Sequence, residues 1–252
     1  MVAGIIQARM GSTRLPGKVM MKINNRTILE HCLTRLSTSK KVDKWIVATT
    51  TNEEDDIIER FCQTHNISCY RGSQDDVLDR FYAAHSHLAP EAETIVRICC
   101  DNPTHDGVVV DYCISEFLKL GVDYFSNGNE PPIFTQDGIT AEVFTKEAMY
   151  LAWSKGTLLS EREHVTPFIK KSNSFKKAWR KYADNFNFKL SVDNEADFKL
   201  NQLIFKRLGN DFSILELIHF LNNNPEIRNI NASSVINEGY LKSLKEDRHI
   251  GK

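Results

Sequence analysis

The sequence predicts an α/β fold, a mostly parallel, Rossmann-like sheet covered by helices on both faces. Two observations point there. Short apolar runs alternate with segments whose apolar residues recur at helical spacing, and this order repeats from residue 3 to residue 126. The first apolar run, Ala3 to Gln7, also opens directly into a loop rich in glycine and cations. The composition agrees: 252 residues, 41% hydrophobic and 26% charged, fit one α/β domain.

After that loop, Thr27-Ile-Leu-Glu30 reads as a capping box, with Ile28, Leu29, Cys32, Leu33 and Leu36 as the buried stripe behind it. Trp45 to Thr49 is the next strand. Asn52 opens an acidic first turn, Glu53 to Asp56, before the helix carrying Ile57, Ile58, Phe61 and Cys62. Ile67 to Tyr70 is a strand, and Val77, Leu78, Phe81, Tyr82 and His85 mark a helix. Thr94 to Cys99 is a strand ending at Asp101-Asn-Pro103, followed by helix Val108 to Leu120 and strand Val122 to Phe125. Consecutive units of this kind build parallel pairs.

The pattern changes at Asn127. Asn127 to Gly138 is rich in Gly, Pro and Asn and reads as a loop or lid. Ile139 to Phe144, Phe175 to Tyr182 and Phe188 to Val192 read as strands, with antiparallel pairing expected in a small extension of a mixed sheet. Glu195 to Leu208 and Ser213 to Leu221 are helices, the second with a capping box at Ser213 and Glu216. We expect a single domain over 1–252: a nucleotide-binding half (1–126), an acceptor and dimerisation region (127–182), and a C-terminal strand with helices (183–252).

The net charge of −1 gives no global field for nucleic acid or an anionic membrane, and no apolar run approaches the about 20 residues that span a bilayer. With no signal-peptide pattern at the N-terminus, the expected location is the cytoplasm. Six cysteines without a C-x-x-C pair read as buried thiols. The basic run Lys170, Lys171, Lys176, Lys177, Arg180 and Lys181 reads as a solvated surface strand.

Chemistry concentrates in Gln7-Ala-Arg-Met-Gly-Ser-Thr-Arg-Leu-Pro-Gly-Lys18. Arg9, Arg14 and Lys18 join two hydroxyls and two glycines, Gly11 and Gly17, within twelve residues. Glycines let backbone amides approach phosphate oxygens, and arginines grip them bidentately. Lys18 is followed by Val19, so this is no Walker A loop. Ligands of open α/β sheets bind beyond the strands' carboxyl ends, which also singles out Arg71 to Asp76 and Asp101. Asp101 can alternatively form an Asx turn into Asn102-Pro103, and Asp193 can cap the helix at Glu195.

Ile5-Ile-Gln-Ala-Arg-Met-Gly-Ser-Thr-Arg-Leu-Pro-Gly-Lys18 resembles the opening signature of the acylneuraminate cytidylyltransferase-like family, in the branch of spore coat polysaccharide biosynthesis proteins. Further matches follow in order: Arg71-Gly-Ser-Gln-Asp-Asp-Val-Leu-Asp-Arg80, Arg97-Ile-Cys-Cys-Asp-Asn-Pro103, Asp137-Gly138 with Glu142-Val-Phe144, Arg162-Glu-His-Val-Thr-Pro167 and Leu190-Ser-Val-Asp193. The resemblance implies a nucleotide-diphospho-sugar transferase type of three-layer sandwich. It implies CMP transfer from CTP to an acidic sugar, with pyrophosphate released and Mg²⁺ as cofactor, in surface polysaccharide or glycan synthesis. By the same resemblance Arg9, Gly11, Ser12, Arg14 and Lys18 hold the triphosphate, and Asp101 and Asp193 hold the metal. Gly72, Asp79 and Arg80 lie over base and ribose, with a surface ion pair as the alternative for the last two. Glu142, Arg162 and His164 meet the acceptor sugar, with subunit contact as the alternative for Arg162 and His164, and the protein forms a homodimer. Aromatic residues Phe144, Trp153, Phe168, Phe175 and Trp179 are candidates for its interface, with capping of the sheet of a monomer as the alternative.

One segment departs from the family pattern. Cys100-Asp-Asn-Pro-Thr104 stands where relatives read Gly-Asp-Cys-Pro-Leu, so Cys100 is expected to crowd the site. Three other functions remain compatible: a glycosyltransferase of related fold, a sugar-1-phosphate nucleotidyltransferase, and a non-catalytic relative.

Overall fold

The computed structural model describes residues 1–128 and 136–250, with the side chains of 248–250 excepted. In chain order the strands are β1 (Val2–Gln7), β2 (Lys22–Ile23), β3 (Arg26–Thr27), β4 (Lys44–Thr50), β5 (Ser68–Gly72), β6 (Thr94–Cys99), β7 (Tyr124–Ser126), β8 (Glu142–Thr145) and β9 (Lys177–Trp179). The helices are α1 (Ile28–Leu36), α2 (Asp56–Thr64), α3 (Val77–Leu88), α4 (Gly107–Leu120), α5 (Lys146–Lys155), α6 (Leu159–His164), α7 (Pro167–Lys171), α8 (Glu195–Leu208), α9 (Ile214–Asn223), α10 (Pro225–Arg228) and α11 (Glu238–Ile250).

Among the described residues, seven strands form one sheet in the order β5-β4-β1-β6-β8-β7-β9, and β2 and β3 form a separate antiparallel pair. β1, β4, β5 and β6 run parallel. β8 is antiparallel to both β6 and β7, and β7 is parallel to β9. One reversed strand therefore sits inside an otherwise parallel sheet. Both faces are apolar, as a doubly covered sheet requires. Ile6, Val47, Val96 and Val143 face a core closed by α1, α4, α8 and α9. Ile5, Ile46, Ile95 and Phe144 face the opposite core, under α3 and α5.

The expected sheet extension is only partly right. Phe188 to Val192 forms no strand. Its amides are engaged elsewhere: Leu190 and Ser191 donate to Asp137 Oδ1 at 2.7 and 2.6 Å, and Val192 donates to the Asp101 carbonyl at 2.8 Å. β9 is shorter than expected and runs parallel to its neighbour. At the Thr27 box only half forms, with Thr27 accepting from the Glu30 amide; the box at Ser213 and Glu216 is complete. Part of the loop expected at 127–138 lies outside the described residues.

The aromatic residues expected at an interface pack within the chain. Phe144 is buried in the second core, and Trp153, Phe168, Phe175 and Trp179 pack against it. Trp153 stacks on Tyr82 with 3.8 Å between centroids and 5° between planes. Trp153, Phe168, Phe175 and Trp179 remain half-buried. The six cysteines form no disulfide; four are buried, and Cys69 and Cys99 are half-buried. Among the described residues, no helix is long and apolar enough to cross a membrane.

Candidate active site

A cavity of about 1110 Å³ opens at the carboxyl edge of the parallel strands. β1 delivers the cationic loop to one end of it, and β6, β7 and β8 form the other. The loop is pinned by buried Asp55, whose Oδ1 accepts from the Met10 amide at 2.6 Å. Ser12 and Gly17 amides donate to the Met10 carbonyl at 2.7 and 2.9 Å. Those two amides thus close the loop on itself and are not directed at a ligand. Gly17 adopts φ 71°, a left-handed conformation that glycine takes without strain, and starts the short 3₁₀ turn that turns Lys18 inward.

Lys18 is buried at the end of this loop. Its Nζ donates to Asp101 Oδ2 at 2.8 Å, Asp193 Oδ1 at 3.1 Å and the Val192 carbonyl at 2.6 Å. Burial acts to lower the Lys18 pKa, but the two carboxylates override it and hold the ammonium above its ordinary 10.5. Asp193 is shared further. Arg14 donates to its Oδ1 at 2.8 Å and Lys189 to its Oδ2 at 3.0 Å. Burial alone would raise Asp193; Lys18 and Lys189 instead pull it down to about 2. Neither aspartate plays the alternative part: Asp101 pairs with Lys18, and the cap of α8 is Asn194, whose side chain accepts from the Asp197 amide.

The donor set suits a magnesium ion. Asp101 and Asp193 present hard oxygens to one cationic position. Among the described residues no third His, Cys, Asp or Glu joins them. Mg²⁺ is commonly held by one or two carboxylates and completes its shell with phosphate and water.

Arg80 contradicts the surface ion-pair alternative. It is 1% exposed, borders the cavity, and donates from Nη1 to the Ser73 carbonyl. Its Nε has no hydrogen-bond partner, and no carboxylate pairs with the guanidinium among the described residues. Burial and the nearby Arg9 charge lower its pKa to about 10. Arg9 faces the same cavity, and none of its side-chain nitrogens has a hydrogen-bond or ion-pair partner among the described residues. Among the described residues neither guanidinium has an ion-pair partner, and Asp55 and Asp76 act on Arg80 only through space, an arrangement that favours an anion between Arg9 and Arg80.

At the far end, β8 puts Glu142 directly opposite Arg97 of β6. Arg97 pairs with Glu142 Oε2, and Lys170 with Oε1 at 2.6 Å. Tyr124 and Thr166 hydroxyls donate to Oε1 at 2.6 and 2.8 Å. Burial would raise this carboxyl, but Lys170 and Arg97 hold it far below the usual range. Lys170 was expected on a solvated surface strand. It lies instead in α7 and borders the cavity. His164 borders the cavity too, and burial, with Arg97 and Lys170 nearby, lowers its pKa to about 3.

Arg9, Ser12, Arg14, Lys18, Arg80, Asp101, Glu142, His164 and Asp193 are all brought to this one cavity. Four expected residues are not. Gly11 sits against Glu54, and Gly72 against Tyr70 and Arg80. Asp79 accepts from Trp153 Nε1 at 2.8 Å. Arg162 pairs with Asp76 and donates to the Trp153 carbonyl at 2.7 Å, tying α6 to the start of α3. Cys100 is 1% exposed and belongs to the first core while bordering the cavity. Arg97, Tyr124 and Lys170, which also border the cavity, were missed, although Arg97 opens the motif that contains Asp101 and ends at Pro103.

Fold and cavity together define the class: an α/β protein with a cleft, bordered by Arg9 and Arg80, at the carboxyl edge of a parallel sheet. Within that class the chain belongs to the cytidylyltransferase family, whose model matches residues 3–217. It is 40% identical over 237 residues to an uncharacterized protein of Methanocaldococcus jannaschii, covering 92% of this chain and 95% of that one. It is 32% identical over 234 residues to the spore coat polysaccharide biosynthesis protein SpsF of Bacillus subtilis, covering 88% and 94%. The structure of a cytidylyltransferase from Leptospira borgpetersenii superposes with a TM-score of 0.82 at 30% identity, covering 90% of this chain and 96% of that one.

Proposed function

We propose that the protein transfers CMP from CTP to an acidic sugar and releases pyrophosphate. The observation that supports the nucleotide half is the pair Arg9 and Arg80, two guanidiniums bordering one cavity with no ion-pair partner among the described residues. A triphosphate supplies that charge, and Arg14 and Lys18 lie at the same end. In the reaction a sugar hydroxyl oxygen bonds to the α-phosphorus of CTP. The bond from that phosphorus to the bridging oxygen breaks, pyrophosphate leaves, and the hydroxyl proton passes to solvent. Charge grows on the departing pyrophosphate, and preorganised cations stabilise it.

Asp101 and Asp193 would hold Mg²⁺, which supplies further charge neutralisation at the phosphates when bound. The acidic nature of the acceptor is supported by the Glu142 cluster. Arg97 and Lys170 bring two cations to one carboxylate, and His164 is neutral. The Arg97 and Lys170 cations beside the cavity would suit a sugar carboxylate. Resemblance to SpsF fits a product used in polysaccharide synthesis.

Pyrophosphate release, measured with each of the four nucleoside triphosphates and a panel of neutral and acidic sugars, tests the proposal. Release is expected only with CTP and an acidic sugar. Release with a sugar 1-phosphate, or only with another triphosphate, would overturn it.

A further inference from the structure

α11 lies beyond residue 217, where the family match ends, yet it forms one wall of the cavity. It sits on α6 through polar contacts. His164 Nε2 and Ser243 Oγ are hydrogen-bonded at 3.1 Å, and Ser243 Oγ lies 2.5 Å from its acceptor Glu163 Oε2. The Ser160 amide donates to Asp247 Oδ1 at 3.0 Å. The His164 and Tyr240 rings meet edge to face, 5.1 Å apart. Apolar anchoring is slight. Of the described side chains in α11 only Ser243 is buried, while Leu241 is 40% exposed. The chain enters the helix through Asn237 at φ 56°, a left-handed conformation that asparagine tolerates better than most residues.

The first residue of this helix reaches into the phosphate end. Arg14 Nη1 donates to Glu238 Oε2, while its Nη2 donates to Asp193. A carboxylate offers Arg14 the same acceptor oxygens as a phosphate. Both side chains keep contact with water, 35% exposed for Arg14 and 55% for Glu238, so this pair is weak and readily exchanged. A triphosphate arriving beside Arg9 and Arg80 both claims Arg14 and repels the Glu238 carboxylate.

We propose that α11 is a nucleotide-responsive cover, with Glu238 holding Arg14 until the triphosphate displaces it. The proposal rests on the CTP reading above. It makes the wall beside His164 movable, so that the acceptor end opens once the nucleotide is seated. A helix held by core packing would stay in place when Arg14 changes partner. One held mainly by exposed or half-buried contacts, those of Ser243, Asp247, Tyr240 and Glu238, loosens when Glu238 loses its partner.

The test titrates wild type and Glu238→Gln with CTP by calorimetry and follows amide exchange across residues 238–247. Glu238→Gln is expected to bind CTP about threefold to fivefold more tightly, because no ion pair must be broken first. In wild type, CTP is expected to speed exchange in α11. Equal CTP affinity in the two proteins, or exchange that CTP leaves unchanged or slows, would overturn the cover while the nucleotide reading stood. If neither protein binds CTP, the nucleotide reading falls and takes the cover with it.

Discussion

The Lys18 ammonium lies 2.8 Å from the Asp101 carboxylate, and this contact joins the loop after β1 to the turn after β6. Because Asp193 also accepts from Lys18, removal of the lysine leaves two carboxylates facing each other, one of them buried. Asp193 keeps Arg14 and Lys189, so Lys18→Ala is expected to destabilise the protein by about 1 to 3 kcal/mol, as well as to weaken nucleotide binding. Chemical denaturation checks this. A stability equal to wild type would show that the lysine is not the cement of the two turns.

Arg80 gives the opposite balance. Its guanidinium is buried without a carboxylate partner among the described residues, so its burial is a cost that folding bears for the site. Arg80→Met is expected to match or exceed wild-type thermal stability while CTP affinity drops by roughly 1.5 to 3 kcal/mol. Thermal melts with and without CTP separate the two effects. A melt well below wild type without ligand would assign Arg80 to the fold.

His105 predicts the acid limb of stability. It is 1% exposed, donates to the Cys99 carbonyl at 3.2 Å, and is lowered by burial from 6.5 to about 4. The unfolded chain therefore takes up a proton first as pH falls below 6.5. Stability from this group is complete above 6.5 and declines until about pH 4. At pH 5 the loss is about 2 kcal/mol. Denaturation of wild type and His105→Gln at pH 7.5 and pH 5 compares slopes and not absolute values. The variant should lose about that much less on acidification, and identical slopes would exclude His105 as the titrating group.

The parallel core was legible because its signals are local. Ile5, Ile46 and Ile95 stand in short apolar runs, and Glu195 to Leu208 carries its own helical period. The site was legible where one motif held it, as in Arg9 to Lys18. Its pairings were not, because charges meet across the fold without leaving a local pattern. Lys18 and Asp193 are 175 residues apart in sequence, and Arg162 and Asp76 are 86 apart. Lys170 looked like one solvated lysine among several; α7 alone turns it toward Glu142. Phe188 to Val192 has the composition of a strand, but the Asp137 side chain takes its amides from 53 residues away.

Asp101 is the last residue for which structure and chemistry make separable demands. Its carboxylate bonds to Lys18 and caps no turn, and its side chain is 26% exposed. Lys18 keeps Asp193 and the Val192 carbonyl if Asp101 is neutralised. Asp101→Asn is therefore expected to keep thermal stability within about 1 kcal/mol of wild type. As a candidate magnesium ligand it should nevertheless be indispensable, since an amide oxygen carries no charge to hold a divalent ion. Turnover measured against Mg²⁺ concentration should collapse across the whole range, while CTP still protects the variant against thermal unfolding. Asp193→Asn is the contrast: Asp193 also meets Arg14 and Lys189, so its neutralisation should cost stability and activity together. Wild-type turnover by Asp101→Asn at saturating Mg²⁺ would remove Asp101 from the metal site and leave Lys18 as its sole purpose.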